Sequence, residues 1–346
     1  MNQIILQCPI CGHTTEGEIF KHYSTFPKEF FLRAFQESLA NCKNCGLTCL
    51  YPQPTEEILN QFYDEKYLEE QKLHRPAIYS YAMNLFIFLV RHLRRKDALG
   101  KFAIWPTAKL LSLLLCIPLV KGDQQGIPKA LDVGCSTGDA MRLLHETGWE
   151  VYGFDINKAA VMKARGLFPD NVFLGQMDNM HWSDEEFDLV RMSHVLEHLK
   201  DPIKTLTEIR RVLKVGGHLI VSVPNAGSLE KLMFQSTWHA WDFPHLWHFN
   251  RQTIKEILAA SGFDPSSIRI HTTSTGFGIA LRQATKNFDG FYELCLQVAT
   301  WTYDTSLIRC LLFPLEQLIS TIGLGNTVVA TAYKSREGRL CFKAEI

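Results

Sequence analysis

The 346-residue chain lacks an excess of charge of either sign, since 36 Lys and Arg balance 36 Asp and Glu. No nucleic-acid partner is therefore expected. It also lacks a run of about 20 apolar residues, the length a membrane-spanning helix needs. The longest apolar segment, 104–120, is broken by Pro106, Lys109 and Pro118. The opening MNQIILQCP lacks the charged-then-apolar pattern of a secretory leader. With ten Cys in a chain this long, that points to a reducing, cytoplasmic compartment with thiols free or on metal. Internal repeats and low-complexity tracts are absent as well. At 46% hydrophobic and 21% charged residues, the chain can bury the cores of about two domains, which excludes a disordered protein.

What is present begins with the thiols. Cys8-Pro9-Ile10-Cys11 and Cys42-Lys43-Asn44-Cys45 are two C-x2-C knuckles, each followed by a glycine, Gly12 or Gly46. Four thiolates so spaced can surround Zn2+ tetrahedrally and leave no open position, so the expected ion is structural. His13 and Cys49 lie nearby. A helix is expected between the knuckles over Lys28–Leu39. Residues 1–52 then form a small zinc-ribbon-like module, and 53–122 a helical insertion that opens at Thr55 with Glu56 and Glu57 in its first turn. Two helical segments are expected within it, 76–96 and 102–120.

After a polar, breaker-rich linker (GDQQGIP, 122–128), strands and helices alternate. Strands are expected at 129–133, 150–154, 172–174, 187–192, 218–223, 267–273 and 326–333, and an apolar helical insertion at 285–322. Asp201-Pro202 has the form of a helix start, with Asp as N-cap and Pro in the first turn. Such alternation implies an α/β fold, a mostly parallel, Rossmann-like sheet with helices on both faces, over 123–335.

The loop Leu131-Asp132-Val133-Gly134-Cys135-Ser136-Thr137-Gly138 sits where a strand ends and a helix begins, and Asp155 ends the next strand, 21 residues after Gly134. Glycines there let a backbone approach a ligand, and an acid at the second strand's tip suits ribose hydroxyls. Three readings compete on residues alone. A dinucleotide site would want G-x-G-x-x-G, but Ser136 stands at the second glycine. A hydrolase elbow, G-x-S-x-G, matches 134–138 literally but lacks an HGGG-type segment before it. An adenosyl ligand without phosphate is the third.

LDVGCSTG at 131–138, FDI at 154–156, FDLV at 187–190, HVLEHLKDP at 194–202 and EIRRVLKVGGHLIVSVPN at 208–225 resemble, in order and spacing, the class I S-adenosylmethionine-dependent methyltransferases. The resemblance covers about 125–275 and implies a seven-stranded sheet. The knuckles, Tyr51-Pro52-Gln53-Pro54 and Phe62-Tyr63 with Tyr67 resemble a zinc-knuckle subgroup whose members often act in cell-surface glycan or lipid pathways. By position, the resemblance implies that Asp132 and Gly134 hold the methionine end of S-adenosylmethionine. Ser136 would reach its carboxylate, Gly138 would start the helix, and Asp155 with Ile156 would take the ribose. Gln176 and Met177 would lie beside adenine.

Methyl transfer to a hydroxyl needs a base, and a near-neutral His suits it. His194 and His198 flank Glu197, and His245 and His248 lie in the aromatic stretch 238–249, whose composition is that of a lid over a sugar or lipid. The order of candidates is His245, His194, His198. His194-x-x-Glu197-His198 also permits a metal. Arg91, Arg94, Arg95, Lys96 and Lys101 beside 102–120, and the apolar 307–322, leave two readings open: peripheral contact with the inner face of a membrane, or packing on the core. The expected activity is O-methylation of a glycan or lipid-linked small-molecule acceptor, with a His general base. The alternatives are a nicotinamide-dependent reductase or epimerase of a sugar nucleotide, and a non-catalytic zinc-dependent scaffold.

Overall fold

The computed structural model describes residues 4–12, 14–20, 38–51, 53–65, 126–235, 238–241, 244–274 and 315–336. The expected helices at 76–96 and 102–120 lie outside these residues, as does 285–314. Within the remainder of that insertion, 315–321 is helical. The helix expected over Lys28–Leu39 also lies outside them, except that Ser38 and Leu39 open a strand instead.

The N-terminal strands are β1 (Ile4–Gln7), β2 (Thr14–Phe20), β3 (Ser38–Asn41) and β4 (Thr48–Tyr51), antiparallel in chain order. Each knuckle is the turn of a hairpin. Gly12 N–H donates to Cys8 O at 2.9 Å, and Gly46 N–H to Cys42 O at 2.8 Å. A fifth strand arrives from far along the chain: β10 (Trp247–His248) pairs antiparallel with β4. Helix α1 (Glu56–Glu65) follows, with Glu56 and Glu57 at the positive end of its dipole.

The second sheet has seven strands. They are β5 (Lys129–Val133), β6 (Glu150–Asp155), β7 (Val172–Leu174), β8 (Phe187–Ser193), β9 (Leu213–Pro224), β11 (Arg269–Thr273) and β12 (Thr327–Tyr333). Their order is β11-β12-β9-β8-β5-β6-β7, and only β12 runs antiparallel to its neighbours. The expected seven-stranded α/β sheet is thus present. The chain winds outward from β5 through β6 to β7, then crosses back to place β8 on the other side of β5, so the winding reverses at β5.

Side chains alternate across this sheet. Ala130, Leu189, Ile220 and Val329 face α2 (Asp139–Glu146) and α3 (Lys158–Arg165). Leu131, Val133, Val190, Val221 and Ala330 face α4 (Pro202–Val212) and α6 (Arg251–Ala260). Both faces are buried, which is why the strands read as short apolar runs. Helix α4 starts where expected, Asp201 accepting the Lys204 N–H at 2.9 Å with Pro202 in the first turn, and buries Leu206, Ile209 and Val212. On that face the core continues without a break into Leu39, Leu47 and Leu50 of the N-terminal sheet and Trp238, Leu246 and Phe249 of the 238–249 stretch.

Candidate functional site

Parallel sheets bind ligands at the carboxyl ends of the strands that flank a reversal of winding. A cavity of about 730 Å3 lies there, at the ends of β5, β6 and β8. Asp132, Gly134, Ser136, Asp155, Ile156, Gln176 and Met177 all line it, so the structure brings together every predicted cofactor residue except Gly138. Gly138 caps α2 at φ 81°, where an added Cβ would lie 3.2 Å from Ala164 Cβ of α3. It sets how closely the two helices pack. Gly134 has φ 71°, and an added Cβ there would lie 2.4 Å from Val195 Cγ2. Only glycine fits between the first strand's tip and the turn after β8.

Asp155 braces the loop. Its Oδ2 accepts the Ser136 N–H and its Oδ1 the Asn157 N–H, each at 2.8 Å. Each carboxylate oxygen has a second lone pair, so two hydroxyls can still be bound from the cavity side. Burial pushes the Asp155 carboxyl up from its usual range, against the pull of the Asn157, Ser136 and Ile156 amides. Asp132, 1% exposed, pairs with Arg191 Nη1 at 2.9 Å. Burial raises its pKa too, opposed by Arg191. Arg191 also lines the cavity and was not singled out from sequence. The signal for it is a lone cation in the strand FDLVRMS, directly among the buried Leu189, Val190 and Met192.

The opposite wall carries the histidines and α1. Glu56, Leu59 and Tyr63 line the cavity, and the Tyr63 carbonyl accepts the Asn157 side-chain amide at 2.8 Å, so this stretch closes the site from the side. His194 and His198 both line the cavity, whereas His245 does not. His194 follows β8 at φ 54°, with its side chain 52% exposed and Nδ1 3.3 Å from Glu197 Oε1. Glu197 itself is 1% exposed. Burial would raise its carboxyl, but the close approach of His194 and the charge of the neighbouring imidazoles outweigh that and hold it at about 2. His198 packs against His245 at 4.8 Å between ring centroids and edge-on to Tyr63 at 6.4 Å. Burial lowers His198 to about 4 and lowers His245 as well.

The described parts of the 238–249 stretch, 238–241 and 244–249, are core where a lid was expected. Trp238, Trp241, Leu246, Trp247 and Phe249 are buried, and none of them lines the cavity. Leu50 N–H donates to Leu246 O at 2.9 Å, and Leu246 N–H to Glu197 O at 2.8 Å. The stretch therefore bridges the thiol-bearing sheet and the turn that holds Glu197.

The four knuckle cysteines converge, with Cys8 Sγ 3.4 Å from Cys45 Sγ and Cys11 Sγ 3.7 Å from Cys42 Sγ. Buried Cys49 lies behind them, its thiol pushed up to about 12 by burial and by Cys8 and Cys42. Among the described residues no helix is long and apolar enough to cross a membrane. The basic cluster at 91–101, the segment 102–120 and most of 307–322 lie outside them.

Comparison with known proteins bears on the same region. Residues 106–268 match the family model of a methyltransferase domain. A probable S-adenosylmethionine-dependent methyltransferase of Mycolicibacterium smegmatis is 29% identical over 139 residues, 39% of this chain and 51% of that one. The ubiquinone/menaquinone biosynthesis C-methyltransferase of Proteus mirabilis is 28% identical over 189 residues, 46% of this chain and 74% of that one. Among solved structures, a SAM-dependent methyltransferase from Archaeoglobus fulgidus is similar with a TM-score of 0.44 at 22% identity, over 65% of this chain and 94% of that one. The matches span from 31% to 74% of the length of these curated relatives, about half in most. Sheet order and the match over 106–268 agree on a Rossmann-like α/β fold of the methyltransferase type for this region.

Proposed function

We propose that the protein transfers the methyl group of S-adenosylmethionine to a hydroxyl of a small glycan or lipid-linked acceptor, with His194 as general base. The observation that carries this reading is the pairing of two walls around one cavity. One wall has the Asp132–Arg191 pair and Asp155; the other has His194 backed by Glu197.

The residues fit the cofactor chemically. Arg191 offers donors to an α-carboxylate, and Asp132 an acceptor to an α-ammonium, so the pair matches an amino-acid zwitterion. Asp155 suits the ribose diol, and Ile156 and Met177 give apolar surface to a purine. When bound, the cofactor supplies an electrophilic methyl on a sulfonium. The protein's part is to orient the acceptor, keep water out and take a proton. His194 is suited to the last task because Glu197 Oε1 lies 3.3 Å from its Nδ1, a negative charge that favours the tautomer protonated there and leaves Nε2 free to accept. This reading prefers His194 over His245, since His194 is on the cavity wall.

The knuckle thiols fit a structural zinc ion. Around Zn2+ at about 2.3 Å, tetrahedral sulfurs lie about 3.8 Å apart, and the paired Sγ atoms stand at 3.4 and 3.7 Å.

Isothermal titration of the full chain with S-adenosylmethionine tests the reading. Binding is expected, weakened about a hundredfold in Asp155→Ala, because two hydrogen bonds to a charged group are lost. Radiolabelled cofactor incubated with lipid and polysaccharide fractions of a cell extract should label one of them. His194→Asn, which tolerates positive φ, should cut labelling about a hundredfold or more and leave cofactor affinity within twofold. Absence of binding to the wild type would refute the whole reading; undiminished labelling would remove His194.

A further inference from the structure

The Glu197 carboxylate is almost completely buried, 1% exposed, and neither oxygen has a hydrogen-bond partner. Its one ion-pair neighbour is His194, at 3.3 Å and in poor alignment for a bond. An ionised carboxylate without hydrogen bonds costs several kcal/mol to bury. Something beyond the protein's own donors is called for.

Two imidazoles stand beside it. One donor atom each from Glu197, His198 and His245 lie within 4.8 Å of one another. Both rings are already oriented. His198 Nδ1 is 3.2 Å from the Pro244 carbonyl and His245 Nδ1 is 2.9 Å from the Ala240 carbonyl. A carbonyl accepts only from N–H, so each neutral ring carries its proton on Nδ1 and turns a lone pair outward at Nε2. An imidazole whose other nitrogen is tied to a backbone carbonyl is the usual form of a metal-ligating His. The backbone fixes the three relative to one another, since Leu246 N–H donates to Glu197 O at 2.8 Å.

We propose that Glu197, His198 and His245 bind one divalent transition-metal ion, separate from the knuckle thiols. Two imidazoles and one carboxylate suit Zn2+, Co2+, Fe2+ or Mn2+. Donors about 2.1 Å from one ion lie about 3.4 Å apart in a tetrahedron, so a small inward adjustment of side chains closes the present spread. Three protein ligands leave at least one position open. Of the three ligands His198 lines the cavity, which puts the proposed ion next to it. An acceptor oxygen bound at the open position would lose its proton more readily, and His194 is beside it to receive that proton. This role rests on the reading above, in which the cavity takes the cofactor and the acceptor.

Cobalt distinguishes the two centres. Co2+ on thiolates gives intense sulfur-to-metal charge-transfer absorption; on imidazole and carboxylate it gives only weak visible bands. The full chain, stripped with a chelator and titrated with CoCl2, is expected to bind one equivalent that adds no thiolate band. Glu197→Gln and His245→Gln should each lose that equivalent, with an affinity drop of at least tenfold. Both should keep the thiolate absorption and bind S-adenosylmethionine within twofold of wild type, which shows them folded. The proposal is overturned if the wild type binds no cobalt outside the thiolates, or if both variants retain it. In either case S-adenosylmethionine titration of the same samples reads out the function separately, since cofactor binding without the second metal refutes only this inference.

Discussion

Cys49 and Trp247 face each other across the antiparallel pair β4–β10. One belongs to the sheet that carries the knuckle thiols, the other to the loop that carries His245. Thr48 faces His248 in the same register. The thiol-bearing hairpins and the strand that follows His245 are thereby parts of one sheet, whose core is continuous with Leu196 in the turn that carries Glu197 and His198.

That arrangement predicts what loss of the knuckle ion does. Without a metal, four clustered thiols have no covalent-strength tie, and β3–β4 loses its anchor. A Cys8→Ser, Cys42→Ser double variant should release zinc and lose several kcal/mol of stability. The Leu50 and Leu246 amides, bonded to Leu246 O and Glu197 O, should exchange at least tenfold faster. The Gly134 and Cys135 amides, both bonded to Phe154 O in the other sheet, should be much less affected. Hydrogen exchange with mass spectrometry reads both. Equal protection of Leu246 in variant and wild type would separate the two sheets energetically and refute the coupling.

Much of this organisation was legible before any coordinates. The parallel strands are buried on both faces, so Leu131–Val133 and Leu189–Met192 are apolar except for Asp132 and Arg191, the two charges that pair at the site. Asp201-Pro202 announces a helix because the acid caps free amides and proline needs none. Cysteine spacing gave the thiol cluster because a knuckle is local. The losses have a common cause: what depends on long-range contact leaves no local trace. Strand β10 is two residues long, too short for any periodicity. The 238–249 stretch reads equally as a lid or as core, since Trp and His suit both, and only its pairing with β4 settles that it is core. His245 heads the candidates on sequence, yet the path of the chain puts it behind His198, off the cavity wall. Arg191 was visible as a letter, but its pairing with Asp132 needed the register of β5 against β8.

The Asp132–Arg191 pair carries a second prediction. Asp132 is 1% exposed at the cavity wall, so removing Arg191 strands a buried carboxylate. Arg191→Leu should cost about 3–5 kcal/mol of stability in urea unfolding. Adding Asp132→Asn removes the stranded charge, and the double variant should be more stable than Arg191→Leu alone. Both should bind S-adenosylmethionine at least tenfold more weakly, because each lacks the cation for its carboxylate. Additive losses in the double variant would mean that the two side chains are not energetically paired.

Glu230, in α5 (Leu229–Phe234), is 3% exposed, and its Oε1 accepts from Asn326 Nδ2 at 3.3 Å. Burial pushes its carboxyl up from 4.5 to about 7; the Asn326 bond opposes the rise and Glu316 adds to it. The folded protein therefore holds a proton over a range where the unfolded chain has released it. Its contribution to stability is full below pH 4.5 and is lost as pH rises through 7. At about 1.4 kcal/mol per unit, the loss by pH 8 is about 3 kcal/mol. Glu230→Gln keeps the shape and the acceptor for Asn326 without the ionisation. Its unfolding free energy relative to wild type should shift in the variant's favour by about 2–3 kcal/mol between pH 5 and pH 8, measured by urea titration at both. A difference that stays constant over that range would show that Glu230 does not titrate in the folded state as its burial requires.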